Sequence, residues 1–365
     1  MKNANLFVNK DILVLTSSSD IDRITKPKAS LMSHVWSGVL KPKNDIVVVY
    51  NMANFQKLVN TFSLINPDFA LLNMIPAAPN SLYASSSLNF EKGKVSLAQN
   101  LYGQDEQAKT YIDNLDAGLT KTRGTWNSYL PVNPLFYLEA GIKGDQLHNF
   151  LNDIPQITRI FMGMGESTAS RLKAALSSVN GDLVLSMNSL EFNLYKPDFN
   201  FSAFVESTPE LLDIILEELK ESSLSSLIIE SQPDKLTFGD KDLVLFITRT
   251  DKGLIISNKD GLSESSMLPK VENISSARYV GRKSIDINFI IDLKQIFSNP
   301  IMQLVISGVP QYKETGFDKL FEDLDYLRIS GSPSSNLTEI LMTCKADNTL
   351  KLLMDVILKA SKYAK

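Results

Sequence analysis

Thiol and imidazole chemistry have little to work with in this chain. Its 365 residues include one cysteine, Cys344, and two histidines, His34 and His148. A single cysteine excludes an intramolecular disulfide, and a thiol-poor chain suits the cytosol and an oxidising exported compartment equally. Cys344 closes the apolar run 339–344 (EILMTC), the setting of a buried structural thiol rather than of a nucleophile. Zinc sites need clustered His and Cys, and neither HExxH nor CxxC occurs. His34 falls in a helical stretch, 30–40, that also carries Leu31, Val35, Trp36 and Val39. His148 falls on a helix after Asp145, and both imidazoles read as structural or solvated. A GxSxG elbow is also missing. The expectation is therefore no catalytic residue, no cofactor and no metal.

Long apolar runs and one-signed charge are missing as well. The longest apolar stretches, such as 46–50 and 243–247, are far too short to span a bilayer. Lys and Arg number 37 against 41 Asp and Glu, for a net charge of −4, and they form no basic stripe, which argues against a nucleic-acid partner. The sequence opens MKNAN with no apolar signal segment and no lipidation site. The nearest thing to a phosphate loop is 163–168 (GMGEST). It lacks the P-loop lysine, carries Glu166, and follows a helix-like run at 157–162. It reads as a helix-breaking turn with Ser167 as cap.

What the chain has is a recurring grammar of strand, polar turn and short amphipathic helix. Residues 45–51 (DIVVVYN) read as a strand, followed by a helix with Phe55, Leu58, Val59 and Phe62 on one face. The same order recurs at 94–115, at 135–154 and at 198–219, where Thr208 and Pro209 read as helix cap and first helical residue. It recurs again at 285–297, with Asp292 as cap, and at 339–357, with Asp347 as cap. A strand and one helix cannot bury their apolar faces alone, so copies must share a sheet or stack. The expected fold class is α+β, with repeated strand-turn-helix units forming mostly antiparallel sheets packed against helices.

A longer period of about 140 residues overlies the short one, with Asp45 and Asp182 in corresponding positions. It divides the chain into modules at 1–119, 120–260 and 261–365. On that division residues 7–16 look like the second arm of a hairpin whose first arm would lie upstream. Glu91-Lys92-Gly93-Lys94 and Asp251-Lys252-Gly253 read as hairpin turns. Surface linkers are expected at 76–81, 120–134, 222–231 and 261–278, all rich in Ser, Asn, Pro and Gly.

Carboxylates cluster at Glu322, Asp323 and Asp325 and at Glu217, Glu218 and Glu221. Neither cluster has calcium-loop spacing, and solvated helix faces are the simplest reading. Trp126 and Tyr129, in the linker 120–134, are the candidate exposed binding aromatics, for stacking on a sugar ring or anchoring a partner; equally they could plug a junction between modules. Sequons at Asn200, Asn273 and Asn336 are of the number that chance gives in a chain rich in Asn and Ser.

The strands 182–188 (DLVLSMN) and 198–205 (DFNFSAFV), the helix start Thr208-Pro209-Glu210-Leu211-Leu212, and the closing Asn348-Thr349-Leu350-Lys351-Leu352-Leu353 resemble a group of bacterial lipoproteins, of Bacteroidetes type, that carry domain of unknown function 4836. The resemblance implies an exported protein of the cell envelope, periplasmic or at the outer surface, tethered by a lipid on a cysteine upstream of the sequence given; the cytosol stays open. The family brings no catalytic residues. The first functional expectation is thus a non-catalytic binding or scaffold protein with a protein or glycan partner. The second is a hydrolase whose carboxylates, Glu322, Asp323 and Asp325, converge only in the fold. The third is a carrier holding a small apolar ligand between modules.

Overall fold

The fold is described from a computed structural model at residues 5–9, 12–16, 35, 37–40, 44–63, 77–130, 134–152, 158, 165–192, 197–241, 243–260, 285–308, 317–343 and 349–361. His34, Trp36, Gly163, Asn273, Cys344 and Asp347, and the linker at 261–278, lie outside the described residues.

The six segments that alternate in sequence become strands, each followed in the chain by a helix. Strand β1 (Asn5–Asn9) and β2 (Ile12–Thr16) come first. Then β3 (Ile46–Asn51) leads into helix α1 (Met52–Ser63), and β4 (Leu82–Glu91) and β5 (Lys94–Gly103) lead into α2 (Glu106–Ala117). After the short β6 (Leu119–Thr120), β7 (Phe136–Lys143) leads into α3 (Gly144–Asn152), followed by α4 (Glu166–Ser178). Strands β8 (Val179–Phe192) and β9 (Pro197–Ser207) lead into α5 (Leu211–Glu221). Four short strands follow: β10 (Ile228–Gln232), β11 (Lys235–Gly239), β12 (Val244–Thr250) and β13 (Gly253–Ser257). The last third holds β14 (Ile287–Asp292), α6 (Leu293–Ser298), α7 (Pro300–Ser307) and α8 (Phe317–Asp323). It closes with β15 (Leu324–Gly331), β16 (Ser335–Met342) and α9 (Thr349–Ser361).

Among the described residues fourteen strands join into one sheet in the order β10-β11-β12-β13-β9-β8-β7-β14-β15-β16-β5-β4-β3, with β6 beside β7. Its described pairings are all antiparallel. The fold is therefore α+β, built on an antiparallel sheet. Strands from residues 120–260, 261–365 and 1–119 lie side by side in that spatial order. Residues 7–16 differ from expectation. They are not a lone second arm, because β1 and β2 pair with each other as a separate two-stranded hairpin.

Side chains alternate along a strand, so neighbouring residues serve opposite faces of the sheet. On one face Val205, Leu236, Ile247 and Leu254 meet Leu211 and Leu212 of α5. Further along the same face Ile340 and Met342 meet Leu320 of α8 and Val356 of α9. Burial of each such side chain contributes about 1.5–3 kcal/mol. The opposite face has its own core, formed by Trp126, Leu130, Tyr137, Val184, Phe204, Ile255, Ile290 and Tyr326.

Helix starts follow local chemistry. The Asp292 carboxylate accepts from the Gln295 backbone N–H at 2.8 Å and from its side-chain amide at 3.1 Å, as an N-cap should. Asp292→Ala is expected to destabilise the protein by about 1–2 kcal/mol and Asp292→Asn by much less, as read from urea midpoints at constant slope. Ser167 is not a cap. Gly165, extended at φ −61 and ψ 151, turns the chain, so α4 begins at Glu166, where a carboxylate suits the positive helix end. Thr208 and Pro209 form a turn instead of the first helical residues: the Leu211 N–H donates to the Thr208 carbonyl at 3.3 Å, and α5 starts there. Residues 222–231 are not wholly linker, since β10 begins at Ile228 and pairs with β11. Among the described residues no helix is long and apolar enough to cross a membrane.

Candidate functional site

The face opposite the helices is unusually polar for a buried surface. Residues directly across antiparallel strands share a face. One such row runs Ser257, Ser202, Ser186, Tyr137, Ile290, Arg328, Glu339 and Ser96. All eight are buried. In the next row Glu139 of β7 stands opposite Asn288 of β14, which stands opposite Ser330. The Tyr137 hydroxyl donates to Glu139 Oε2 at 3.0 Å, and Arg328 Nε donates to Asn288 Oδ1 at 3.1 Å. At the outer end of the row, Glu339 meets Lys94 Nζ at 3.7 Å.

Burial pushes the Glu139 carboxyl up to about 7; the negative charge of Asp182 adds to the rise, and the Tyr137 hydroxyl partly offsets it. The Tyr137 phenol is raised well above its ordinary value by the same burial and by the Glu139 charge. This pair is where sequence reasoning found nothing. Glu139 sits in an apolar strand, YLEAGI, and the only signal was one carboxylate where alternation demands an inward residue.

The candidate aromatics belong to this face, and Trp126 is not exposed: its relative accessibility is 0%. Its ring packs on Phe204 and on Tyr129, with centroids 5.5 Å apart in each case, and its indole N–H donates to the Asp182 carbonyl at 3.3 Å. Tyr129 is half-buried against the same core, with Lys252 Nζ 5.6 Å from its ring centroid. Local electrostatics draw the loop in. The buried Asp182 carboxylate accepts the backbone N–H groups of Arg123 and Thr125, each at 2.8 Å. Glu206 Oε2 accepts the Asp182 N–H at 2.9 Å and the Thr125 hydroxyl at 3.0 Å, while Glu206 Oε1 pairs with Arg123 Nη2 at 2.9 Å. Linker composition hid this, because Ser, Asn and Gly in 120–134 look solvent-facing until Asp182 supplies partners for the loop's N–H groups.

Three clefts gather around the β15–β16 turn. One of about 450 Å³ is lined by Asn100, Lys121, Asp286, Ser332, Ser335 and Asn336, among others. Those of about 280 and 290 Å³ share Gln99, Pro333 and Asn336. The turn is held by Asp116, whose carboxylate accepts from the Ser334 N–H at 3.1 Å and from the hydroxyls of Ser332 and Ser334. Ser335 Oγ donates to Asn100 Oδ1 at 2.7 Å, and Lys121 is paired with Asp286 at 3.1 Å. In the 450 Å³ cleft the amides of Asn100 and Asn336 and the hydroxyls of Ser330, Ser332 and Ser335 stand beside apolar Ala98, Ile285 and Leu337, a mixed lining able to exchange neutral hydrogen bonds.

The carboxylates singled out by sequence do not line these clefts. Glu322 is exposed near the end of α8, and Asp325 is on β15 beside a register shift between Leu324 and Tyr326. Glu218 and Glu221 each meet Arg171 at 2.6 Å, which ties α5 to α4, and Glu217 is exposed. His148 lies within 3.2 Å of the Asn152 amide on α3. No group of three His, Cys, Asp or Glu able to hold a metal ion occurs among the described residues.

Comparison with known proteins adds one positive finding. No curated protein and no solved structure matches the chain. A family model described as a domain of unknown function (DUF4836) matches residues 9–350. That span takes in the whole fourteen-stranded sheet, the loop latched by Asp182 and the clefts at the β15–β16 turn, and so the chain belongs to the DUF4836 family.

Proposed function

We propose that this chain is a non-catalytic binding or scaffold protein of the bacterial cell envelope, tethered by a lipid and built from three diverged copies of one block. The order of elements supports the block. Strand-helix-strand-strand-helix occurs as β3-α1-β4-β5-α2 and, with extra helices, as β7-α3-α4-β8-β9-α5 and β14-α6-α7-α8-β15-β16-α9. Stacked or shared-sheet blocks commonly present extended binding faces.

The observation that carries the binding reading is the chemistry of the 450 Å³ cleft. Its lining sets the amides of Asn100 and Asn336 and the hydroxyls of Ser330, Ser332 and Ser335 beside apolar Ala98, Ile285 and Leu337, and its ionic groups, Lys121 and Asp286, already neutralise each other. Such a lining suits a hydroxyl-rich neutral glycan, which exchanges water hydrogen bonds for amide and hydroxyl ones at little electrostatic cost. Array screening of the intact protein against neutral oligosaccharides, followed by titration calorimetry, is expected to find a ligand. Replacing both Asn100 and Asn336 by alanine is expected to weaken that ligand by about tenfold or more, because each lost hydrogen bond is worth about 0.5–1.5 kcal/mol. Cleavage of the bound oligosaccharide would overturn the non-catalytic reading. Absence of binding to any of them would overturn the glycan assignment.

A further inference from the structure

We infer that β3 is the docking edge for a second copy of this chain, strand against strand, antiparallel, across a twofold axis at Val47. Among the described residues the sheet ends at β10 on one side and at β3 on the other. The two edges differ. Strand β10 reads IIESQ; it carries Glu230, is mostly exposed, and has a register shift between Ile228 and Glu230. A bulge and a charge are the usual guards of an edge against further pairing, so the lone exposed Ile229 there sits on a protected strand. Strand β3 reads IVVVYN, has no charge, and pairs with β4 without a shift. Ile46 and Val48 are 49% and 51% exposed, and beside them on α1 Phe55 and Leu58 are 42% and 52% exposed. An apolar edge with neither a charge nor a bulge to guard it, followed by a helix with exposed apolar residues, calls for a partner.

The chain itself shows which partner fits. Taking the three blocks as copies, on which the inference rests, the first strands are β3, β7 and β14. Two of these first strands already pair with each other, and the joint is locally symmetric. Glu139 stands five residues before α3 begins and Asn288 five residues before α6 begins, and these two face one another. Leu138 faces Phe289 on one side of that centre and Ala140 faces Ile287 on the other. A first strand of this kind is thus shaped to pair with another first strand about a twofold axis five residues ahead of its helix. Strand β3 is the first strand without such a mate among the described residues. Val47 stands five residues before α1 begins. The same joint made between two copies places Val47 opposite Val47, and Ile46 of one copy opposite Val48 of the other. The two residues left exposed become a directly opposed apolar pair, formed twice.

Sedimentation of the purified full chain tests this, with the variants I46K/V48K and I46K/V48E beside it. Both positions are half-exposed, so circular dichroism and melting are expected to match the wild type. The wild type is expected to sediment as a dimer at tens of micromolar. The double-lysine variant sets like charges directly opposite in both pairs and is expected to associate at least a hundredfold more weakly. In the symmetric register the lysine–glutamate variant instead sets each lysine against a glutamate, and it is expected to recover most of the lost association. A wild-type monomer at hundreds of micromolar would overturn the docking edge, as would a dimer indifferent to the two lysines. Weakening without recovery by I46K/V48E would overturn the symmetric register. Glycan titration of the same variants separates this result from the cleft assignment: a lost dimer with unchanged glycan affinity shows the two to be independent, and loss of glycan binding by I46K/V48K would overturn the placement of the docking edge apart from the ligand cleft.

Discussion

Trp126→Ala is expected to destabilise the protein by about 3–5 kcal/mol, the cost of removing a large buried aromatic from a site that cannot collapse around the void. The site is walled by four strands of one hydrogen-bonded sheet, whose pairing keeps them from closing on a void. Phe204 belongs to β9 and Tyr137 to β7, and Ile290 and Tyr326 belong to β14 and β15. The indole also gives its N–H to the Asp182 carbonyl. Trp126→Phe keeps most of the apolar volume and gives up that hydrogen bond, so its expected cost is smaller, about 1–2 kcal/mol. Asp182→Asn tests the same latch from the other side. It keeps one acceptor oxygen for the Arg123 and Thr125 N–H groups and turns the other into a donor facing a donor. Urea unfolding followed by circular dichroism reads all three. A cost below about 1 kcal/mol for Trp126→Ala would show that the loop merely rests on the sheet.

Trp126 also shows where sequence reasoning stopped. Periodicity reported what was local: β3, β7, β9, β14 and β16 were each legible from their runs, and the helices after them from their apolar stripes. The cap at Asp292 was legible because its partner, Gln295, is three residues away. The clefts and the buried polar row were not legible, because they are products of register. Nothing in Ser96, Glu339, Arg328 or Ser186 taken alone announces that they line up across the sheet, since the pairing of β16 with β5 joins residues more than two hundred positions apart. For the same reason the sequence leaves Trp126 open between an exposed binding aromatic and a plug at a junction. A loop composition rich in Ser and Asn is a local signal, and the carboxylate that gathers the loop, Asp182, acts from 57 and 59 positions along the chain. The hairpin β1–β2 is hidden for a different reason: no Gly or Pro marks a turn between its two short strands, so in sequence they look like one long one.

A second large effect is expected at Glu139, and it depends on pH. The folded carboxyl, at about 7 against an ordinary 4.5, binds its proton more tightly than the unfolded chain does. Between those values the folded protein keeps a proton that the unfolded chain has released, so stability falls as pH rises through the window and is then constant above it. At about 1.4 kcal/mol per pH unit, the penalty of carrying an ionised Glu139 reaches about 3 kcal/mol by pH 8. Glu139→Gln imitates the protonated form and still offers the Tyr137 hydroxyl an acceptor. The variant is therefore expected to match the wild type near pH 4 and to exceed it by about 3 kcal/mol at pH 8, as read from urea unfolding at both values. A gap that does not change with pH would show that Glu139 is ionised throughout or is reached by water. The location gives the charge its importance: Glu139 faces Asn288 within the β7–β14 pairing, where strands about 150 residues apart in the chain meet. Val47 stands at the same five-residue distance ahead of α1 as Glu139 does ahead of α3. A neutral apolar residue there carries no such penalty, so a joint made through β3 would be insensitive to pH over the range in which the internal joint weakens.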